Sequence, residues 1–202
     1  MILIVGANGG MGSRYRAILN SLNVEWLGVD ADITLLSIKE IAKKSSGIII
    51  ATPTDTHYEF LKLFSTLKKP VFCEKPLSRS LSDLNDILQM YEGHGLTMAY
   101  QYSELLNPDS VGASVYNYFK HGSDGMAWDC IQIIGLAKGA VTLQGISPIW
   151  DCQINGQQLL IHEMDMAYIK NIMRWLKGET MDLHYLYDIH KKVAEYENSK
   201  SN

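Results

Sequence analysis

Seven residues near the start, Gly6-Ala7-Asn8-Gly9-Gly10-Met11-Gly12, follow a short β-branched run and open a segment of helical period. Glycines at a strand-to-helix turn let backbone N–H groups approach a phosphate, and the helix N-terminus adds partial positive charge. The spacing is G-x-x-G-x-x-G, with Asn8 where the fingerprint G-x-G-x-x-G has its second glycine. Glycines alone fit any tight turn. The strand before and the helix after are what point to a pyrophosphate site. Asp30 ends the second strand candidate, 18 residues beyond Gly12. A carboxylate there accepts hydrogen bonds from ribose hydroxyls and repels a 2′-phosphate, which favours NAD(H) over NADP(H). Asp32 can share that role, no nearby arginine argues for the phosphate, and the alternative for Asp30 is a solvated turn residue.

Two further groups follow later strands. Ala51-Thr52-Pro53-Thr54-Asp55-Thr56-His57 comes after the third and Glu74-Lys75-Pro76 after the fourth. The carboxyl ends of parallel strands form the rim where ligands bind. Lys75 there can polarise a carbonyl or help move a proton. Read from the residues alone, Lys75 is equally a surface charge, and His57 equally a helix cap or packing residue.

The elements that must hold these residues are legible in the first hundred positions. Strand candidates are Ile2–Val5, Glu25–Val29, Gly47–Ala51, Val71–Cys73 and Leu96–Ala99. Apolar residues at helical spacing lie between them: Met11, Tyr15, Ile18, Leu19 and Leu22; Phe60, Leu61, Phe64 and Leu67; and Leu81, Leu84, Ile87, Leu88 and Tyr91. Ser80 and Asp83 form a capping pair before the last set. Alternation of this kind predicts an α/β domain with a doubly wound parallel sheet. After Asn107-Pro108 the pattern changes to a helical stretch near 110–120, a turn at Gly122–Gly125 and an apolar segment Met126–Ala137. Strand-like runs then cover Ala140–Ile146, Ile149–Ile154 and Leu159–His162, with Asn155-Gly156 as a hairpin turn. Two helices, Glu163–Lys177 and Asp182–Glu197, close the chain. The division expected is a dinucleotide-binding domain over 1–106 and a smaller α+β domain over 107–202.

Composition bounds the function. The 202 residues are 47% hydrophobic, so a packed core is available, and 18 basic against 22 acidic residues leave a net charge of −4. That balance offers no electrostatic footprint for nucleic acid or an anionic membrane. Three spaced cysteines without a CxxC fit free thiols in a reducing compartment. The start lacks a signal-peptide pattern, and no run is long enough to span a bilayer. The expectation is a cytoplasmic protein. His94, His121, His184 and His190 have no metal-ligand spacing, and no HExxH or Gly-x-Ser-x-Gly occurs, so no metal site is expected.

The Gly6–Gly12 loop, the Ala51–His57 element, Phe72-Cys73-Glu74-Lys75-Pro76-Leu77 and Ala99-Tyr100-Gln101-Tyr102 with Asn107-Pro108 occur in one order and spacing. In these the chain resembles the Gfo/Idh/MocA oxidoreductases, the glucose–fructose oxidoreductase and inositol dehydrogenase family, of which it would be an unusually short member. The glycine loop alone also looks like that of dihydrodipicolinate reductases, which lack the Glu-Lys-Pro arrangement. The resemblance implies an N-terminal Rossmann domain, followed here by a reduced α+β domain, and a reaction on a hydroxyl or carbonyl of a sugar-like or nucleotide-sugar substrate. Carried over, Gly6, Asn8, Gly9, Gly10, Met11 and Gly12 hold the pyrophosphate and Asp30 the ribose. Thr52, Pro53, Thr54 and His57 line the cofactor, and Glu74 and Lys75 lie by the nicotinamide ribose. Lys75 matches a lysine that many members use in catalysis.

The second half departs from the family pattern. Members commonly carry an Asp and a His a few residues apart on the first long helix of the second domain. The corresponding stretch here is Trp128-Asp129-Cys130-Ile131-Gln132-Ile133-Ile134-Gly135, where Asp129 matches but no histidine follows. Glutamine cannot titrate, so Gln132 cannot be a general base. His162, just before Glu163 and Asp165, is the candidate substitute, with a purely structural histidine as the alternative. The short C-terminal sheet leaves Ile149, Trp150, Ile154, Leu159 and Ile161 in need of cover. A homodimer or higher homo-oligomer through that sheet is expected, the alternative being cover by the C-terminal helices. The leading reading is an NAD(P)-dependent oxidoreductase with Lys75, Asp129 and His162 as catalytic candidates. The rival is a catalytically weak or inactive dinucleotide-binding regulatory or assembly protein of the same fold.

Overall fold

A computed structural model describes residues 1–30, 32–93, 95–99, 133–135, 139–146, 149–154, 157–158, 161–179 and 187. They fall into two compact units, one made of Met1–Tyr100 with Ile169–His190 and the other of Gln101–Tyr168 with Lys191–Asn202.

The first unit is built on five parallel strands: β1 (Ile2–Val5), β2 (Trp26–Val29), β3 (Gly47–Ile50), β4 (Val71–Cys73) and β5 (Leu96–Met98). Their order is β2-β1-β3-β4-β5. Strands β1, β3, β4 and β5 are buried along their whole length, as the near-continuous Ile, Val and Leu runs require of a sheet covered on both faces. The connecting helices are α1 (Gly10–Ser21), α2 (Leu35–Lys44), α3 (His57–Ser65, after a 3-10 turn over Thr54–Thr56) and α4 (Leu81–Tyr91). Ser80 caps α4 by accepting from the Asp83 N–H at 3.3 Å. Helix α2 is absent from the sequence reading. Its apolar stripe is thin: Ile38 and Ala42 are buried while Leu35 and Leu36 face solvent, and Thr34 supplies its cap.

Topology sets the position of the site. The chain leaves β1 for β2 on one side, then returns past β1 to β3 on the other. The carboxyl ends of β1 and β3 therefore flank the switch point where such sheets open a ligand crevice. Right-handed crossovers put α1 on one face and α2, α3 and α4 on the other. That distribution leaves the α1 face bare over β3 and β4. The helix α5 (Ile161–Leu176) fills it with its C-terminal half. Trp175 is 3% exposed, and its ring lies 5.6 Å from that of Phe72 on β4. A Cβ on Gly47 would come within 2.9 Å of the Trp175 ring. Residues 169–176, expected with the second domain, thus group with the first, because one helix cannot cover that face.

The second unit contains an antiparallel sheet in the order β6-β7-β8-β9, formed by Ile133–Gly135, Gly139–Ile146, Ile149–Ile154 and Gln157–Gln158. Ile154 pairs with Gln157, leaving two residues between the strands where the hairpin was expected. Two local expectations change. Ile133–Gly135 is a strand rather than part of a long helix, consistent with the β-branched Ile133-Ile134 pair, and it pairs with Gly139–Val141. Ile161 and His162 open α5 rather than close a strand. An apolar run of four residues carries no period of its own, so it reads either way. Leu159 and, apart from residue 187, the second terminal helix lie outside the described residues.

Candidate functional site: the rim of the parallel sheet

The glycine loop sits at the carboxyl end of β1. Gly6 takes φ +84°, open to glycine without strain, and a Cβ there would lie 2.7 Å from the Ala51 carbonyl oxygen. The turns after β1 and β3 therefore touch. Gly12 is more restricted still: its Cβ would fall 2.0 Å from the Gly6 oxygen. Gly9 N–H closes the loop on Gly6 O at 3.2 Å. Nothing lies within 4 Å of a Cβ built on Gly10. Asn8, Gly9 and Gly10 are exposed, and Met11 is half-buried. Gly9 caps α1 without any side-chain bond, so no side chain of the N-cap takes up the first-turn N–H groups. These donors, with the helix dipole behind them, suit an anionic group.

Asp30 faces this loop. The Asn8 N–H lies 3.2 Å from each of its carboxylate oxygens, and its own carbonyl accepts from the Ile33 N–H at 3.2 Å. Asp30 thus does more than end a strand: it holds Asn8, the third residue of the loop. Arg16, one helical turn beyond Gly12, comes back toward the same place. Its Nη1 reaches Asn8 Oδ1 at 3.5 Å, its Nη2 donates to Ser13 Oγ at 3.0 Å, and its guanidinium lies 5.7 Å from the centre of the Trp26 ring. In the sequence, no arginine stands close to Asp30. The fold supplies one, because position 16 turns toward the loop on α1. An arginine four residues past the last glycine was the available signal.

On the neighbouring strand, Thr52 is half-buried, Pro53 exposed, and Thr54 opens the 3-10 turn. The Thr52 and Thr56 hydroxyls lie 2.8 Å apart, and the Thr56 N–H donates to the Pro53 carbonyl at 2.9 Å. His57 behaves differently from a residue lining a cofactor. It is 0% exposed, and its two ring nitrogens lie 2.8 Å from the Pro76 and Thr52 carbonyl oxygens.

Glu74 and Lys75 follow β4, and the Lys75–Pro76 peptide is cis. Glu74 is 7% exposed. Its carboxylate accepts from the Tyr15 hydroxyl and, at 3.1 Å, from the Lys75 N–H. Tyr15 is itself fully buried on α1 and meets Phe72 edge-on at 5.5 Å. Glu74 therefore ties α1 to the Glu-Lys-Pro turn. Tyr15 was read in sequence only as part of an apolar stripe, and its hydroxyl was the missed signal. Lys75 is half-buried at the carboxyl end of β4. Beneath it, burial pushes the Cys73 thiol well up, with the Glu74 carboxylate adding to the effect. Asp129 lies outside the described residues. His162 falls in the first turn of α5, and its side chain lies outside them too. Among the described residues, no three His, Cys, Asp or Glu side chains group to hold a metal ion, and no helix is long and apolar enough to cross a membrane.

Comparison with known proteins bears on this arrangement. Residues 12–102 match the GFO_IDH_MocA family model, described as the oxidoreductase family with an NAD-binding Rossmann fold. An uncharacterized oxidoreductase, YrbE of Bacillus subtilis (strain 168), is 34% identical over 62 residues, 31% of this chain and 18% of the relative. The matched stretch is thus under a fifth of that relative's length. In fold, the chain is similar to the WlbA (WbpB) dehydrogenase from Thermus thermophilus, solved in complex with NAD and UDP-GlcNAcA. The TM-score is 0.60 at 11% identity, covering 96% of this chain and 93% of that one. An oxidoreductase from Sinorhizobium meliloti aligns over 50% of this chain and 36% of its own, with a TM-score of 0.46 and 17% identity.

Proposed function

We infer that this chain is a nicotinamide-dependent oxidoreductase acting on a hydroxyl or carbonyl of a sugar-like or nucleotide-sugar substrate, a reading supported by the match of residues 12–102 to the oxidoreductase family model with its NAD-binding Rossmann fold. The observation that carries this reading is the position of Lys75. It stands at the carboxyl end of β4, next to β3 in a sheet whose crevice opens between β1 and β3. The loop from Gly6 to Gly12 fits a pyrophosphate, with an uncapped helix start and open space at Gly10. The Asp30 carboxylate fits a ribose diol and favours NAD over NADP. When bound, the nicotinamide supplies the hydride chemistry. The chain's residues bind, orient and handle the proton. Lys75 donates a hydrogen bond to the substrate oxygen, stabilising charge there in the direction of reduction and easing loss of the hydroxyl proton in the direction of oxidation. Asp129 and His162 remain candidates for assisting that proton. The T. thermophilus neighbour, solved with UDP-GlcNAcA, favours testing nucleotide sugars first.

The same reading places the chain in the cytoplasm, on its spaced cysteines, and pairs two copies through the β6–β9 sheet. A solution mass of twice the chain supports the pairing, and a monomer refutes it. The activity test is a screen of sugars and nucleotide sugars with NAD+ or NADH, followed at the reduced-nicotinamide absorbance. Lys75→Met should lower kcat by about 100-fold or more while cofactor affinity stays within a few-fold. Unchanged turnover in that variant removes Lys75 from the reaction. Cofactor binding with silence across the whole panel favours the rival, a dinucleotide-binding regulatory or assembly protein.

A further inference from the structure

His57 is a fully buried polar residue to which the proposed function gives no task. It begins α3, directly after the 3-10 turn, and no part of it reaches solvent. Its Nδ1 lies 2.8 Å from the carbonyl oxygen of Pro76, and its Nε2 lies 2.8 Å from that of Thr52. A carbonyl oxygen can only accept. A neutral imidazole has one donor and one acceptor, so one of these two contacts would set lone pair against lone pair. Only the imidazolium, a donor at both nitrogens, satisfies both oxygens. Each bond is then charge-assisted, about twice as strong as a neutral one.

The two oxygens belong to different turns. Thr52 follows β3 and Pro76 follows β4, the strand next to it, beside the crevice that opens between β1 and β3. We propose that His57 is a positioning residue held as an imidazolium, whose two N–H groups tie the Thr52 turn to the Lys75–Pro76 turn and so set where Lys75 stands at the cofactor crevice. It touches neither cofactor nor substrate. Its effect on cofactor affinity rests on the NAD reading above, but its charge state does not.

Burial opposes the charge, and the two carbonyl acceptors at 2.8 Å favour it. The ionisable groups on the surrounding segments are Asp55, Tyr58, Glu59 and Lys62 on its own segment and Cys73, Glu74, Lys75 and Arg79 along and after β4. On α4 they are Asp83, Asp86 and Tyr91. Arg79 lies 3.8 Å from Asp55, and Tyr58 donates to Asp86 at 2.9 Å. Carboxylates outnumber cations in this set. A histidine stabilised in its charged form holds its proton above the ordinary value of about 6.5. Its contribution is complete below that value and is lost as pH rises through the raised one.

The test is long-range 1H–15N correlation on the full chain labelled at its six histidines. At pH 8, one imidazole should keep both ring N–H protons, with ring-proton contacts to Thr52 and Pro76. If every imidazole is neutral at pH 8 in the folded chain, the proposal is overturned. His57→Gln, which cannot span both oxygens, should weaken NAD+ binding at least tenfold. Raising the pH through the His57 titration should weaken binding by wild type in the same direction. A folded His57→Gln chain that binds NAD+ as wild type does also overturns the positioning role. Should that variant fail to fold, the wild-type spectrum decides alone. If wild type binds no NAD+, the cofactor reading falls, while the imidazolium test stands.

Discussion

Asp30 and Arg16 make opposite demands on a cofactor. The carboxylate favours a free 2′-hydroxyl, whereas the guanidinium, 3.5 Å from Asn8 Oδ1, is a cation within reach of the loop that Asp30 holds. On the proposed reading the carboxylate, which contacts the loop backbone with both oxygens, sets the preference. Asp30→Asn should therefore move the NAD+/NADP+ affinity ratio toward NADP+ by about tenfold, about 1.4 kcal/mol. Adding Arg16→Ala should reverse part of that shift. Calorimetric affinities for the two cofactors check both, and an unchanged ratio in Asp30→Asn removes Asp30 from the ribose site. The place of Asp30 beside the glycine loop was legible in the sequence because it depends on a strand end and a fixed distance from the glycines. Arg16, Tyr15 and His57 were not. Each acts through a partner that only the fold supplies: Asn8 for Arg16, Glu74 across 59 positions for Tyr15, and Pro76 for His57.

At the scale of elements, α5 matters most. A helix's period shows that it has an apolar face, but not which sheet that face covers. Trp175 and Ile172 are buried on this helix, and Trp175 packs on Phe72 and over Gly47. Trp175→Ala should cost the first unit about 3–5 kcal/mol, the range for truncating a buried aromatic. Denaturant unfolding followed by far-UV dichroism measures it. A loss below about 1 kcal/mol would mean that the C-terminal half of α5 is not part of the first unit's core. The five parallel strands were read from sequence to within a residue or so, because buried β-branched runs bounded by turns are local signals. Helix α2, with only Ile38 and Ala42 buried, and the Ile133–Gly135 strand were not, since the one has too thin an apolar stripe and the other is too short to carry a period.

For the whole molecule, the buried titratable groups set how stability varies with pH. Burial raises the Cys73 thiol and the Tyr91 phenol, whose hydroxyl donates to the Leu61 carbonyl at 2.9 Å. Both groups stay neutral in the folded chain and ionise more readily once unfolded. Their contribution is therefore complete below the unfolded values, about 8.5 for the thiol and about 10 for the phenol, and falls as pH rises beyond them. The unfolding free energy should drop by up to about 1.4 kcal/mol per pH unit for each such group, from about pH 9.5 for the thiol and about pH 11 for the phenol. Cys73 should also resist thiol reagents in the native state and react only on unfolding, which peptide mapping after labelling detects. A flat stability profile up to pH 10.5 would contradict the burial of these groups.

The central claim is that the glycine loop, Asp30 and the turns after β3 and β4 together form a nicotinamide dinucleotide site. Titration calorimetry of the full chain with NAD+, beside Gly12→Val, tests it most directly. A side chain at position 12 meets the Gly6 oxygen and the Ala7 backbone within 2.7 Å, so the variant cannot keep the loop. The account predicts saturable one-to-one NAD+ binding by the wild-type chain, tighter than NADP+ binding, and its loss in Gly12→Val. A folded wild-type chain that shows no binding of either dinucleotide at millimolar concentration would contradict it.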